Sequence, residues 1–279
     1  MRFGFHISIA GGFFRVIPRA LKTGCKTMQI FSGNPRAWKK KPFNTEEAQN
    51  FQEALSQTSI TPLFIHAPYL LNLASPNEDL YNRSIDCLVD ELNKAYRLGA
   101  RSVIVHVGNK LYLKESEALD RVARAINLSF RRVNNSIQLL LENTAGQGTE
   151  IGFNFFQLKA IVDQVDKKER IGICLDTAHA FEAGYDLSTS TGLDQMLDEF
   201  DTLIGLDRLK ALHLNDSRTG FGSRVDRHWH IGEGEIGLSG FLHIINHPAL
   251  IHLPGIMETP RKEDADDLRN MEIMRSLIR

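Results

Sequence analysis

Cysteine is scarce in this 279-residue chain: Cys25, Cys87 and Cys174 are the full set, and no two form a CxxC pair. An odd, scattered set points to a reducing compartment and excludes both a disulfide framework and a thiolate zinc site. Also missing is any apolar run long enough to cross a bilayer, which takes about 20 residues. The opening MRFGFHISIAGGFFR has the superficial look of a secretory leader, but His6 and Ser8 interrupt it and no suitable cleavage site follows. It reads as a first strand, and a cytoplasmic location is expected. No linker, low-complexity tract or change of composition cuts the chain, so one domain over residues 1–279 is expected. Neither sign of charge dominates, since 33 Lys and Arg against 34 Asp and Glu leave a net charge of −1. A phosphate-binding protein would ordinarily carry a positive surplus.

What the chain does have is a recurrence. His66, His106, Glu142, Asp176, His213 and Glu258 stand at or just beyond the C-terminal ends of the runs TPLFIHA, RSVIVHV, SIQLLLEN, RIGICLD, RLKALHLND and PGIMET. Subtracting residue numbers gives intervals of 40, 36, 34, 37 and 45, each the length of one strand, one helix and two loops. Parallel strands need crossovers of a dozen or more residues, usually helical, so the unit is βα. Eight such units fit the chain length and close into a (β/α)₈ TIM barrel, whose active sites lie at the rim where the strands end. The coarse reading places strands at 2–8, 26–31, 61–66, 101–107, 136–142, 170–175, 208–214 and 254–258. Helices are expected at 11–24, 45–58, 78–98, 116–133, 154–165, within 178–206, at 238–246 and at 262–278. Residues 215–237 form one long polar connection at the functional rim.

Imidazole and carboxylate donors without thiolate suit Zn²⁺, Mn²⁺ or Fe²⁺. Ionisable groups beside runs such as VIVH and QLLLE are costly to bury unless paired or metal-bound. His179, Asp226 and His228 raise the candidate ligands to nine, enough for more than one ion. Asp176-Thr177-Ala178-His179 leaves a strand for a helix, so its two donors can serve neighbouring ions. An extended Asp226-Arg227-His228 points both donors to one side and Arg227 to the other. His230 competes with His228 on the same argument, and spacing does not choose between them. Three divalent ions add six charges and take the chain from −1 to +5, so near-neutrality does not exclude a phosphodiester substrate.

Gly232-Glu233-Gly234-Glu235-Ile236-Gly237 matches GxGxxG literally, but it follows a polar loop rather than a strand and carries two carboxylates where a pyrophosphate would lie. A turn-rich loop edge is expected. His243, His247 and His252 read as surface residues, and His6 either supports the ligands or simply packs. Ser32-Gly33-Asn34-Pro35-Arg36-Ala37-Trp38-Lys39-Lys40-Lys41 combines a guanidinium, an indole and a lysine run, the groups that stack on bases and neutralise phosphates. Tyr69 adds an aromatic three residues past His66, and Arg218, Arg224 and Arg227 add positive charge to the long loop.

With its ligands in this order the chain resembles the endonuclease IV family of apurinic/apyrimidinic DNA-repair endonucleases over essentially its whole length. The segments that carry the resemblance are FSGNPRAW, IHAPYLLNLASP, VIVHVG, LLENTAGQG, LDTAHAFEAGYD, HLNDSRTGFGSRVDRHWHIGEGEIG and METP. It implies three Zn²⁺ ions, with Mn²⁺ or Fe²⁺ acceptable at some positions. His66, His106 and Glu142 would hold the first, and Glu142 would bridge to a second held by Asp176, His213 and Glu258. His179, Asp226 and His228 would hold the third, which selects His228 over His230. Arg36 and Tyr69 would probe DNA around the missing base. The implied activity is hydrolysis 5′ to abasic sites in duplex DNA, leaving a 3′-hydroxyl, together with repair of blocked 3′ ends. Glu142 would be catalytic, and the enzyme would act as a monomer on the nucleoid. Ala178 stands where many members carry Cys, and IHAPY lacks the more polar middle of some relatives, but neither departure removes a ligand.

Two other readings compete. A metal-dependent sugar isomerase or epimerase shares the barrel, since fold does not fix function, but it leaves the third-ion residues and Arg36-Ala37-Trp38 without a role. A non-catalytic binder of damaged DNA needs no such set of ions.

Overall fold

Short aliphatic runs alternating with amphipathic segments resolve into β1 (Arg2–His6), α1 (Val16–Lys22), β2 (Thr27–Phe31), α2 (Thr45–Ser56), β3 (Leu63–His66), α3 (Glu78–Arg97), β4 (Ser102–His106), α4 (Glu115–Arg132), β5 (Gln138–Glu142) and α5 (Phe155–Asp163). The second half continues with β6 (Ile171–Asp176), α6 (Thr177–Ala183), α7 (Ser190–Leu203), β7 (Leu209–His213), β8 (Asp216–Ser217), β9 (His228–Trp229), α8 (Gly237–Asn246), β10 (Pro254–Met257) and α9 (Asp264–Ser276). This computed structural model describes residues 1–38 and 43–279, so the lysine run Lys39-Lys40-Lys41 falls outside the described residues. Strands β1 to β7 and β10 pair in parallel, and β10 returns to β1 to close an eight-stranded barrel. The expected (β/α)₈ architecture is present.

Local chemistry sets the helix limits. Asn77 caps α3 by accepting from Leu80 N, Glu78 and Asp79 occupy the first turn, and Lys94 and Arg97 the last, each complementing the helix dipole. Tyr81, Ile85, Leu88, Leu92 and Ala95 recur at three-to-four-residue spacing and form its buried stripe. The helix expected over 11–24 begins later, because Gly11 and Gly12 adopt φ of 86° and 105°. Those values lie outside the helical region; a 3₁₀ turn over Phe13–Arg15 precedes α1 instead. The long connection 215–237 is not wholly irregular either, since β8 and β9 pair antiparallel within it.

The barrel lumen explains where the candidate ligands stand. Phe64, Ile104, Leu140, Cys174, Ala211 and Ile256 form a buried cluster separate from the core under the helices. Each lies two residues before one of His66, His106, Glu142, Asp176, His213 and Glu258. Residues two apart on a strand face the same way. The lumen is therefore plugged by apolar side chains and topped, at the rim, by a layer of imidazoles and carboxylates.

Candidate metal centre

The rim donors fall into three groups whose ligand atoms lie within 4.8 Å of one another. His66, His106 and Glu142 make the first, with both Nε2 atoms 3.1 Å from Glu142 Oε2. Glu142, Asp176, His213 and Glu258 make the second, where His213 Nδ1 lies 2.8 Å from Glu142 Oε1 and 3.3 Å from Glu258 Oε2. Glu142 thus spans two groups with its two oxygens. The third joins Asp176, His179 and His228, and Asp226 Oδ1 lies 3.5 Å from His179 Nε2 and 3.7 Å from His228 Nε2. Asp176 is shared, with Oδ2 3.8 Å from His213 Nδ1 and 3.5 Å from His228 Nε2.

Hydrogen bonds outside the cluster fix which nitrogen of each ring faces it. His66 Nδ1 donates to Ala67 O (2.6 Å), His179 Nδ1 to Asn143 O (2.9 Å) and His213 Nε2 to Gln29 Oε1 (2.8 Å). The other nitrogen of each ring then faces carboxylate oxygens of the cluster. His179 Nε2 and His228 Nε2 approach to 3.3 Å. Ring nitrogens converging on one another and on anions need a cation between them, a proton or a metal ion, and an outer hydrogen bond that orients a ring is the usual device of a metal-binding histidine. The donor set fits divalent ions of the Zn²⁺ type.

The carboxylates are oriented in the same manner. Asp176 caps α6 through Oδ1, which accepts from His179 N (2.9 Å), while Oδ2 accepts from Asn215 Nδ2 (2.7 Å). Asn143 clamps the Asp176 backbone, donating to its O (3.1 Å) and accepting from its N (2.7 Å). Gln29 Nε2 donates to Glu258 Oε1 (2.6 Å), and Asn215 Oδ1 accepts from Glu258 N (2.7 Å). His6 Nδ1 lies 3.1 Å from Glu258 Oε1, which places His6 among the supports rather than in ordinary packing.

Electrostatics follow from this crowding. Burial opposes charge on Glu142, yet the charges and hydrogen bonds of His106 and His213 outweigh it and hold the carboxyl well below its ordinary range. Burial likewise opposes the lowering of Asp226 and Glu258; hydrogen bonding and charge from His179 prevail for Asp226, and charge from His213 with a hydrogen bond from His6 for Glu258. His179 is raised well above its ordinary value, because Asp176, Asp226 and Glu142 outweigh burial. Cys174 is the opposite case: burial pushes its thiol up to about 12, so it fills the lumen as a neutral group.

The glycine-rich 232–237 segment cradles an anion, but the anion is the protein's own. Gly232 N and Gly234 N donate to Asp216 Oδ2 (2.9 and 3.1 Å), and Ile236 N donates to Oδ1 (3.0 Å). A Cβ on Gly234 would stand 2.3 Å from Ser217 O and 2.5 Å from Asp216 Oδ1, so a side chain there is excluded. The match to a dinucleotide fingerprint is a loop folded around a buried carboxylate.

Tyr69 is 60% exposed and lies over the first group, its ring centroid 5.3 Å from that of His66 and 6.0 Å from that of His106. Arg36 is exposed in the turn after β2, where its N–H donates to Asn34 Oδ1. Trp38 is half-buried against the core with Arg83 stacked 4.4 Å from its ring centre, so it packs instead of offering a free face. His230 turns away from the cluster, its Nδ1 3.2 Å from Asn270 Nδ2, while His228 joins it. His247 lies by Asp194 at 3.2 Å and joins none of the three groups of donors. Gln29, Asn143 and Asn215 did not stand out in the sequence; a buried Gln within TMQIF was the one available signal.

Residues 17–277 match the family described as xylose isomerase-like TIM barrel, the class that the closed barrel and its rim of donors define. The chain is 44% identical over its whole length and that of a probable endonuclease 4 from Halothermothrix orenii. It is 46% identical to another from Methanoculleus marisnigri, with 98% of each chain covered. The crystal structure of endonuclease IV from Thermus thermophilus superposes with a TM-score of 0.86 at 35% identity, covering 99% of this chain and 98% of that one. The chain belongs to the endonuclease IV family.

Proposed function

We propose that the protein is a zinc-dependent endonuclease that hydrolyses the phosphodiester bond 5′ to abasic sites in duplex DNA and removes 3′-blocking groups, acting as a monomer in the cytoplasm. The observation that carries this reading is the convergence of nine nitrogen and oxygen donors in three adjoining groups at one rim, in a chain of this family. His66, His106 and Glu142 would hold one ion, Asp176, His213 and Glu258 with Glu142 a second, and His179, Asp226 and His228 a third. Divalent ions held there would supply Lewis acidity, the chemistry that brings the pKa of a water down to about 7 and offsets phosphate charge.

The chain's residues do the rest. Glu142, fully buried and spanning two groups, orients the attacking water. Water oxygen bonds to phosphorus and gives up a proton, the P–O3′ bond breaks, and the departing O3′ takes up that proton, relayed through solvent, to become the 3′-hydroxyl, while the phosphate stays on the 5′ oxygen of the abasic sugar. Gln29, Asn143 and Asn215 keep donor atoms aimed before substrate arrives, so little reorganisation is left for the reaction. Tyr69 presents an exposed ring beside the donors, placed to stack in the space left by the missing base, and Arg36 offers a guanidinium on the neighbouring rim loop.

Incubation of zinc-loaded protein with a duplex containing one abasic site tests the proposal, with sugar phosphates run in parallel. A nick 5′ to the lesion bearing a 3′-hydroxyl, lost on chelation, is expected. Turnover of the sugars without nicking would assign the site to isomerase chemistry instead.

A further inference from the structure

Glu182 is a fully buried carboxylate that no step above uses. It stands in the last turn of α6, the helix that Asp176 caps and that carries His179. The three residues are spaced by three, so they share one face of the helix. One oxygen, Oε1, accepts from Ser217 Oγ (2.7 Å), Arg227 N (3.1 Å) and Thr219 Oγ1 (3.2 Å). The other, Oε2, is buried without a partner among the described residues. Next to it, Gly222 N donates to Phe181 O and Arg224 N to Glu182 O. The end of α6 therefore grips the β8–β9 hairpin at several points along its length.

Arg227 is the single residue between Asp226 and His228, and its N–H belongs to the peptide that leaves Asp226. Fixing that N–H fixes the backbone from which both donors project. Strand ends hold the donors of the first two groups, but no barrel strand carries Asp226, whose own N–H donates to Gln147 Oε1 (3.0 Å). A carboxylate buried with one oxygen unused is costly, and hydrogen bonds to it are about twice as strong as those to a neutral acceptor. That cost is localised where the hairpin needs a strong grip.

We propose that Glu182 is a positioning residue for the outermost cation position: without touching an ion, it holds the hairpin so that Asp226 and His228 face His179. This rests on reading the rim as a metal centre. Partners one step behind metal ligands typically set affinity by roughly 10- to 100-fold. Deleting this one should affect a single position and leave the strand-end positions alone.

The test is a zinc titration of the full chain against a competing chelator, with stoichiometry by elemental analysis. Glu182→Ala should weaken one ion by roughly 10- to 100-fold while the remainder bind as in the parent. Glu182→Gln, which keeps an acceptor oxygen, should restore most of that affinity. The ion lost should be the one lost in His228→Ala, so the double variant should lose no more than His228→Ala alone. If Glu182→Ala does not fold, Ser217→Ala removes one grip and should weaken the same ion by roughly 2- to 10-fold. Parent-like binding of every ion by the folded Glu182→Ala, or by Ser217→Ala where that variant is needed, would overturn the proposal, as would uniform weakening of all ions. A parent that binds no zinc would instead overturn the metal-centre reading beneath it.

Discussion

Two kinds of ground hold the donors of this site. His66, His106, Glu142, Asp176, His213 and Glu258 end barrel strands or lie one residue beyond, each two residues above a side chain of the lumen plug. His228 and Asp226 project from a two-stranded hairpin within a long loop, and their side chains are 19% and 39% exposed where Glu142 is fully buried. The first set inherits its positions from parallel pairing that aligns neighbours directly, as in His106 beside Glu142 and Asp176 beside His213. The second set is held by side-chain hydrogen bonds to Glu182 and Gln147. A barrel thus supplies a rigid inner site from its architecture, while an outer position has to be built from individual polar contacts.

The sharpest way to break this contrast is from below. Leu140→Ala empties part of the plug under Glu142 and is expected to cost about 2–5 kcal/mol of stability, read by chemical denaturation, with metal affinity of the inner groups falling alongside. Inner groups that bind zinc unchanged in this variant would mean that the plug does not fix them. Next in size, Glu142→Gln keeps the shape of the side chain but removes the charge shared by two groups. Turnover of abasic duplex is expected to drop by at least ~10²-fold, about 2.7 kcal/mol in the barrier, with the fold retained by circular dichroism. Near-parental rates with all ions retained would show that another carboxylate performs the spanning role.

Over the rim, Tyr69→Ala is expected to weaken binding of abasic duplex by about 1–3 kcal/mol, the worth of one stacked base, while metal content stays constant. Arg36→Ala should act in the same sense. Hydrolysis of a small activated phosphodiester should change far less in both, because that substrate has no duplex to hold open. The most localised effect is expected at the hairpin: Asp226→Asn removes the charge of a proposed ligand while keeping one oxygen, and should reduce affinity for one ion by about 10- to 100-fold, roughly 1.4–2.7 kcal/mol, leaving the inner ions in place. Loss of all ions together would erase the distinction between inner and outer ground.

The inner ground was legible in the sequence because it is periodic. A donor at the end of each aliphatic run, repeating at the length of a βα unit, marks both the barrel and the rim. Asp226-Arg227-His228 was legible from spacing only as alternation, which left His230 a rival; the family resemblance chose His228, and the fold turns His230 toward Asn270. Glu182, Asn143 and Asn215 are single polar residues whose partners lie 33 or more positions away, so no local pattern announces them. The start of the first helix was missed for a different reason: apolar spacing continues through Gly11 and Gly12, and only their positive φ reveals that the backbone is not yet helical.

Anomalous diffraction at the zinc edge from crystals of the loaded protein tests the central claim most directly. The account predicts three peaks: one among His66, His106 and Glu142, one among Glu142, Asp176, His213 and Glu258, and one among His179, Asp226 and His228. A single peak, or peaks away from these side chains, would contradict it.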